Sequence, residues 1–576
     1  MRKLIARMMT APILASLLLT GLPVQAAGQE KAATQEETAQ EEAAQEETVQ
    51  EEAAAQEEAV QEEAAEQSTF LNLRLHNRSV RSWDEERMRY NYIGRYQTVE
   101  LSEDCAKAHP ELAAKLKLLN EGQKRYLENS AEGMIEFAGH FTGDQESALP
   151  LTETSSYLVR RADETALCML ERYDLYAGGE ETTIYYTYHF DPETGKDLKL
   201  EEIVNDIEAL PDLIADRMVA QICAETDIAA GPEQAAGNSA EKESTEETKT
   251  PEQIRTELLG ELHRTLEAED EEWLWVLDPQ GLTFVFNPHT VDVEREDPLF
   301  VTILFREDKK NEIFREDIRE DNTYALYLPY DAPAFADLTG DGRADSIQVR
   351  PVTDETEHYR YRGAEITLNG EHYFDTIYCE KLTPVLVRSA AGYILFLFFQ
   401  TGEGGRIRWY SLAQGSPVLI DEIQGMLRVE DDLVLDWDIE DTVPDQILTD
   451  PDRMEIRSIV WLLSSYYGWN EYAPDREGNL VAKNPYYRIS GNRLTLKKDL
   501  KVPLVDETTL EPTGRRVRIR KGTELIMKDS DGTTFVDFEL PDGRLVRIEV
   551  EIGEYGEERV DGEDAYDVFD GMLYAG

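Results

Sequence analysis

The sequence predicts a first domain of α+β class, with helices on a mostly antiparallel sheet. An all-β domain of propeller-like or sandwich form follows, and then a small β-barrel. Three observations carry this. Helical and strand periods interleave up to about residue 305. Beyond it, short strands are punctuated by Gly, Asp and Pro turns. Residues 29–67 hold fourteen glutamates, one lysine and little apolar besides alanine, so the folded part is expected to start near residue 68.

At the N-terminus, Arg2, Lys3 and Arg7 precede an apolar run from Ile13 to Leu22, and Val24-Gln25-Ala26 has the small-residue form of a cleavage site. Residues 1–26 therefore read as a secretory signal peptide, too short for a membrane span. No later run approaches the ~20 apolar residues a spanning helix needs, so a secreted protein with no membrane span is expected. Residues 27–67 read as an acidic disordered spacer, with Gln35, Gln40, Gln45 and Gln50 recurring every five residues. Cys105, Cys168, Cys223 and Cys379 are too few for a disulfide framework, although one or two bridges could form. Cys168, within Ala166-Leu167-Cys168-Met169-Leu170, reads as a small buried hydrophobe.

The formal charge is −60. The spacer carries −13 of it and the signal peptide +3, so residues 68–576 still hold −50. Such a surface repels nucleic acid and anionic polymers and favours cations or basic proteins.

In the first domain (68–320), Tyr90–Leu101 reads as a strand and Pro110 opens a helix with Leu112, Leu116 and Leu119 on one stripe. Strands follow over 156–163 and 165–173. In 184–190, Ile184, Tyr186, Tyr188 and Phe190 alternate with Tyr185, Thr187 and His189, the pattern of a half-buried strand. Asp191-Pro192-Glu193-Thr194-Gly195-Lys196 supplies a turn, and Leu198, Leu200 and Ile203 are placed to cover the sheet edge. Helices over 207–223 and 252–267 flank a polar insertion at about 229–250. Strands over 273–277, 282–289 and 299–305 close the domain.

Gly178-Gly179, the strand, Asp-x-x-Thr-Gly-Lys and the leucine segment stand in an order that resembles the extracellular domain of RsiV-type anti-sigma factors. That domain is shared with the non-catalytic part of PdaC-type deacetylases. The closing trio, with its tryptophan strand and Gly281-Leu282-x-Phe284-x-Phe286-x-Pro288, resembles the same family's second half. The family commonly has a histidine after the glycine pair, whereas here Glu180-Glu181 follow. The resemblance implies binding of a basic protein such as lysozyme. An anti-sigma role is excluded by the missing membrane span.

The second domain (321–494) opens on Asp337-Leu338-Thr339-Gly340-Asp341-Gly342-Arg343-Ala344-Asp345. Calcium takes six to eight oxygens. Asp337, Thr339, Asp341 and Asp345 fall at positions 1, 3, 5 and 9, with the Arg343 carbonyl at 7 and two glycines for the bend. The segment resembles the calcium loops of integrin-type β-propeller (FG-GAP) repeats, and Thr339 in place of the usual Asn or Asp is expected to weaken affinity. Strands continue to residue 423. Ile394–Phe399 is apolar on both faces and must be central. Ile456, Ile459, Val460 and Leu463 predict a helix. Tyr466, Tyr467, Trp469 and Tyr472 then form either a carbohydrate-stacking platform or a buried cluster.

The tail (495–576) reads as short strands with Asp531-Gly532 and Asp542-Gly543 turns, which suits an SH3-like barrel by fold-level analogy. No HExxH, GxSxG, Walker loop or dinucleotide fingerprint is present, and the eight histidines are scattered. The expected function is therefore non-enzymatic: a secreted bacterial binding protein for a basic extracellular protein or a cell-wall ligand, with calcium in the second domain. The alternative is a carbohydrate-active enzyme using paired carboxylates such as Asp436 and Asp438.

Overall fold

The computed structural model describes residues 70–85, 88–141, 151–177, 180–229, 250–267, 273–290, 297–308, 313–315, 318, 320–353, 361–401, 404–427, 445–489 and 491–574. The signal peptide, the spacer, Gly178-Gly179, most of the polar insertion and Asp436 with Asp438 lie outside them. No helix among the described residues is long and apolar enough to cross a membrane.

Alternation of apolar and polar side chains builds the first sheet. Its strands are β1 (Leu73–Asp84), β2 (Arg89–Leu101), β3 (Leu151–Ala162), β4 (Leu167–Ala177) and β5 (Glu180–Phe190), in the order β1-β2-β3-β4-β5. Between β2 and β3 run helices α1 (Glu103–Ala108) and α2 (Pro110–Phe141). This crossover is why β2 and β3 are the parallel pair while β1–β2, β3–β4 and β4–β5 are antiparallel. Leu112 and Leu116 of α2 pack on Leu73, Val99, Leu167 and Met169 on one face of the sheet. The other face, through Cys168, Leu170 and Tyr185, meets α3 (Leu210–Ala229) and α4 (Pro251–Glu267). It also meets a three-stranded sheet of β6 (Leu274–Asp278), β7 (Gly281–Phe286) and β8 (Leu299–Leu304). The expected half-buried strand is thus corrected: β5 is covered on both faces, with Tyr185 and Phe190 both buried.

The turn after β5 forms as its residues require. Asp191 Oδ1 accepts from the Glu193 and Thr194 N–H groups at 2.8 and 2.9 Å, and Gly195 N donates to Asp191 O. Gly195 has φ +63°, and a Cβ there would stand 2.5 Å from the Glu111 carbonyl at the start of α2. Only glycine serves both demands.

Two further sheets share one core. One holds β10 (Ala334–Ala336), β11 (Asp345–Thr353), β12 (Tyr361–Leu368) and β13 (Glu371–Cys379). The other runs β17-β16-β15-β14-β9, from β9 (Tyr324–Tyr327), β14 (Lys381–Ser389), β15 (Gly392–Thr401), β16 (Gly404–Ser411) and β17 (Val418–Gln424). Ile347, Val349, Ala364 and Ile366 face Leu386, Leu395, Leu397 and Phe399 across that core. The other side of β15, Ile394, Phe396 and Phe398, is buried against Trp409, Leu448 and Met454. The doubly apolar segment is the middle strand, as expected. Of the two forms considered, this pair of sheets is a sandwich.

Most of the remaining strands join one long sheet: β18 (Met426–Leu427), β20 (Met454–Trp461), β21 (Ser465–Pro474), β22 (Leu480–Ala482), β23 (Tyr487–Ile489), β24 (Arg493–Leu496), β25 (Leu500–Val505), β26 (Pro512–Ile519), β27 (Glu524–Ser530), β28 (Phe535–Glu539), β29 (Leu545–Glu549) and a two-residue strand, Phe569–Asp570, beside β24. The path runs β18-β20-β21-β23-β27-β28-β29-β25-β26 and ends open at β26, so the expected closed barrel is corrected to an open sheet. Val460, Leu462 and Tyr466 share a core with Leu494, Phe538 and Phe569, which ties this module to residues before 495. The two-residue strand β19 (Asp445–Gln446) adds instead to the outer edge of β1.

The helix expected over 456–463 is β20. Met454, Ile456 and Val460 are buried every second or fourth residue, and β21 pairs with the strand along its whole length. The apolar spacing suited either period, and the neighbouring strand decided it.

Candidate functional site

The carboxylate loop follows β10 and leads into β11. Gly340 and Gly342 have φ +76° and +85°, the left-handed turns that fold the loop back. Each acid spends an oxygen on the loop itself. Gly342 N donates to Asp337 Oδ2 at 3.0 Å. Thr339 N and Oγ1 donate to Asp345 Oδ2 at 3.0 and 3.1 Å, and Arg343 N donates to Asp341 Oδ1 at 2.8 Å. Asn369 Nδ2 takes Asp345 Oδ1 at 2.7 Å. Asp337 and Asp345 are buried, while Asp341 is exposed.

Arg306, just after β8, places its guanidinium on Asp337 Oδ2. The same guanidinium holds Glu320 at 2.6 and 3.1 Å, and Arg388 of β14 meets the same Glu320 Oε1 that Arg306 Nη2 reaches. Burial works against the Arg306 charge, and the carboxylates of Glu320 and Asp337 overcome it, so its pKa stands above the ordinary value. The loop's charge is thereby linked through alternating acid and base to the first module.

Among the described residues no three His, Cys, Asp or Glu side chains are gathered as a metal site. The loop brings Asp337, Thr339 and Asp345 together by hydrogen bonds and leaves Asp341 facing solvent. Yet Asp337 Oδ1 is buried with no hydrogen-bond donor reaching it among the described residues. A buried carboxylate oxygen in that state favours a cation beside it. The donor set, all oxygen, suits a hard cation such as calcium.

The aromatic run is divided by the strand period. Tyr466 is buried, and Tyr472 packs against the core below β15. Tyr467 and Trp469 point outward, with Arg457 4.1 Å from the Tyr467 ring centre and Arg488 5.2 Å from that of Trp469. Neither a free stacking platform nor a wholly buried cluster results. Guanidinium–ring contacts of this kind are worth ~0.5–1 kcal/mol at exposed sites.

A second acidic feature was missed from the sequence. Beneath α2, Glu153 of β3 and Glu171 of β4 are 1% and 3% exposed. Tyr92 donates to Glu153 at 3.1 Å, while Gln123, Ser155 and Tyr188 each donate to Glu171 at 2.6 Å. Burial raises the Glu153 pKa, against the hydroxyls of Tyr92, Tyr173 and Ser130, which favour its charged form. So deep a pair is closed to a sugar substrate and acts as internal bonding. Its signal was there: Glu153, Ser155 and Tyr157 hold alternate, inward positions of β3.

The four cysteines are all free thiols. Burial pushes the Cys168 pKa up to about 12, which makes it the inert core residue its apolar neighbours suggested. An open cleft of about 580 Å³ is lined by Glu201, Asp206, Glu208 and Arg315 among others. Three of those four side chains are acidic, in keeping with the net charge.

No family model matches the chain, and no curated protein matches it. Two solved structures are similar to part of it. One is a member of the DUF3298 family from Bacteroides fragilis, 12% identical over 43% of this chain and 96% of that chain, with a TM-score of 0.26. The other is a DUF3298 family protein from Pseudomonas aeruginosa, 11% identical over 43% of this chain and 97% of that chain, with a TM-score of 0.24. Likeness at this level carries neither fold nor function across to the chain.

Proposed function

We propose that this chain is an exported, non-enzymatic binding protein. It holds a basic extracellular protein, lysozyme-like in charge, and its RsiV-like first domain contributes to that contact. The observation that supports this most is the charge of −60, of which −50 lies beyond the spacer and signal segments. A field of this sign concentrates cationic partners at the surface and speeds their encounter. The test is co-elution of lysozyme with the chain lacking residues 1–26 at low ionic strength. A complex that dissolves on adding salt agrees with the reading, and separate elution at low salt refutes it.

Calcium is proposed as a stabiliser of the sandwich module. Asp337, Thr339, Asp341, the Arg343 carbonyl and Asp345 would hold it, and its charge would fill the need left at Asp337 Oδ1. Asp345 has to leave Asn369, and Asp337 already has Arg306 beside it, so affinity is expected in the ~10⁻⁴–10⁻³ M range of extracellular modules. Millimolar calcium should raise the melting temperature over a chelated sample, and Asp341→Ala should abolish the rise. An unchanged wild-type melt removes calcium from the account.

A further inference from the structure

We propose that β26 is a docking edge for an extended acidic peptide, which adds to the long sheet as a further strand. Among the described residues β26 is the terminal strand of that sheet and pairs only with β25. Its outer edge therefore presents backbone donors and acceptors that no described strand uses. All but two of its residues are exposed.

The side chains set the chemistry. Residues 512–523 contain Arg515, Arg516, Arg518, Arg520 and Lys521 and no acid, in a chain with 118 acidic and 58 basic residues. Charges of either sign blunt an exposed edge against aggregation. With two acids for every base, edge protection alone gives no reason for five bases and no acid. Arg518 lies directly across from Lys501 on the same face, and like charges so placed are destabilising. Asp499 offsets this, accepting from Arg518 Nε and Nη2 at 3.1 and 2.7 Å on the exposed surface.

Arg516 and Arg518 hold alternate positions of β26, about 6.8 Å apart along the strand, and Arg520 lies one residue past its end. Carboxylates at alternate positions of an added peptide strand repeat at the same interval. Charge and spacing alone would suit any linear polyanion. The open backbone edge is what selects a peptide, because only a peptide offers a matching ladder of N–H and C=O groups. This surface is distinct from the acidic one proposed to hold a basic protein, and either can fail without the other.

The test is fluorescence anisotropy of the full chain with a labelled peptide of alternating Glu and Val. Saturable binding is expected, at least about tenfold weaker in Arg515→Glu/Arg516→Glu/Arg520→Glu and intermediate in the corresponding triple Gln variant. The melting temperatures of both variants check that the fold is kept. A peptide of alternating Glu and Pro carries the same charge but lacks half the backbone donors, and should bind at least about tenfold more weakly. Equal binding of the two peptides overturns strand addition. So does binding of inorganic polyphosphate in preference to the Glu-Val peptide, or no loss of binding in the charge-reversed chain.

Discussion

Asp278→Ala is expected to cost about 3–5 kcal/mol, the most of any single polar substitution considered, because it strands a charge in the interior. Arg160 of β3 and Asp278 of β6 meet in a two-pronged contact, Nε to Oδ1 and Nη2 to Oδ2, both 2.7 Å. Their side chains are 1% and 0% exposed. Thr283 adds a bond to Asp278 Oδ2 at 2.6 Å, and Thr302 bonds Thr283 at 2.8 Å. Removing the acid leaves the guanidinium with the Tyr327 carbonyl at 3.4 Å as its remaining partner of those described. Removing both charges is different. Arg160→Met/Asp278→Leu should recover much of the loss, since a buried ion pair is often no better than an apolar pair of similar volume. Urea denaturation of the two single variants and the double variant checks this. A single variant within about 1 kcal/mol of wild type would show that the pair is not sealed from water.

His189→Gln is expected to flatten the acid side of the stability profile. The His189 ring stacks on Trp275, centroids 3.8 Å apart and planes 1° from parallel, and its Nε2 bonds the Trp275 carbonyl. Burial lowers its pKa to about 4 from 6.5, although the Trp275 carbonyl and Asp197 favour the charged form. With the folded value below the unfolded one, the unfolded chain takes up the proton first. Stability is therefore lost as pH falls from about 6.5 to 4 and is unaffected by this group above that window. At pH 5 the loss is about 2 kcal/mol, from 1.36 kcal/mol per unit. Asp321 works the other way. Its burial raises its pKa to about 7, against the pull of Arg161, so that carboxyl contributes stability as pH falls through 7. The difference between wild type and His189→Gln, measured at pH 7 and pH 5, removes the Asp321 contribution common to both. Equal slopes in the two proteins would show that His189 is not held neutral.

The legible parts of the fold were local. The 110–119 stripe and the doubly apolar centre of β15 each follow from spacing within about ten residues, and each stands where the spacing put it, whereas the β5 alternation marked a strand but not the burial of Tyr185 on its second face. The illegible parts were pairings over long separations. Arg160 finds Asp278 118 residues away, and Asp337 finds Arg306 31 residues before it. No pattern within either segment announces these partners. The same holds for β23, whose pairing with β27 carries one sheet across residue 494. At β20 the spacing fitted two periods, and only the presence of β21 chose between them.

The candidate loop was legible as a turn with oxygen donors, since Gly340, Gly342 and the acids prescribe both. What those acids bond was not. Asn369, in the turn after β12, and Arg306, just after β8, compete for the oxygens that a cation would use. The aromatic run shows the same limit, because whether Tyr467 or Tyr466 faces outward depends on register. Once the register with β20 is set, Arg457 and Trp469 are placed opposite each other.

Whether the negative field works as a holding surface is measured most directly by calorimetric titration of lysozyme into the chain lacking residues 1–26, at ~50 and ~500 mM salt. The account predicts saturation at a fixed stoichiometry in the dilute buffer and a marked loss of affinity in the concentrated one. No heat of association at ~50 mM salt, or uptake that never saturates, would contradict it.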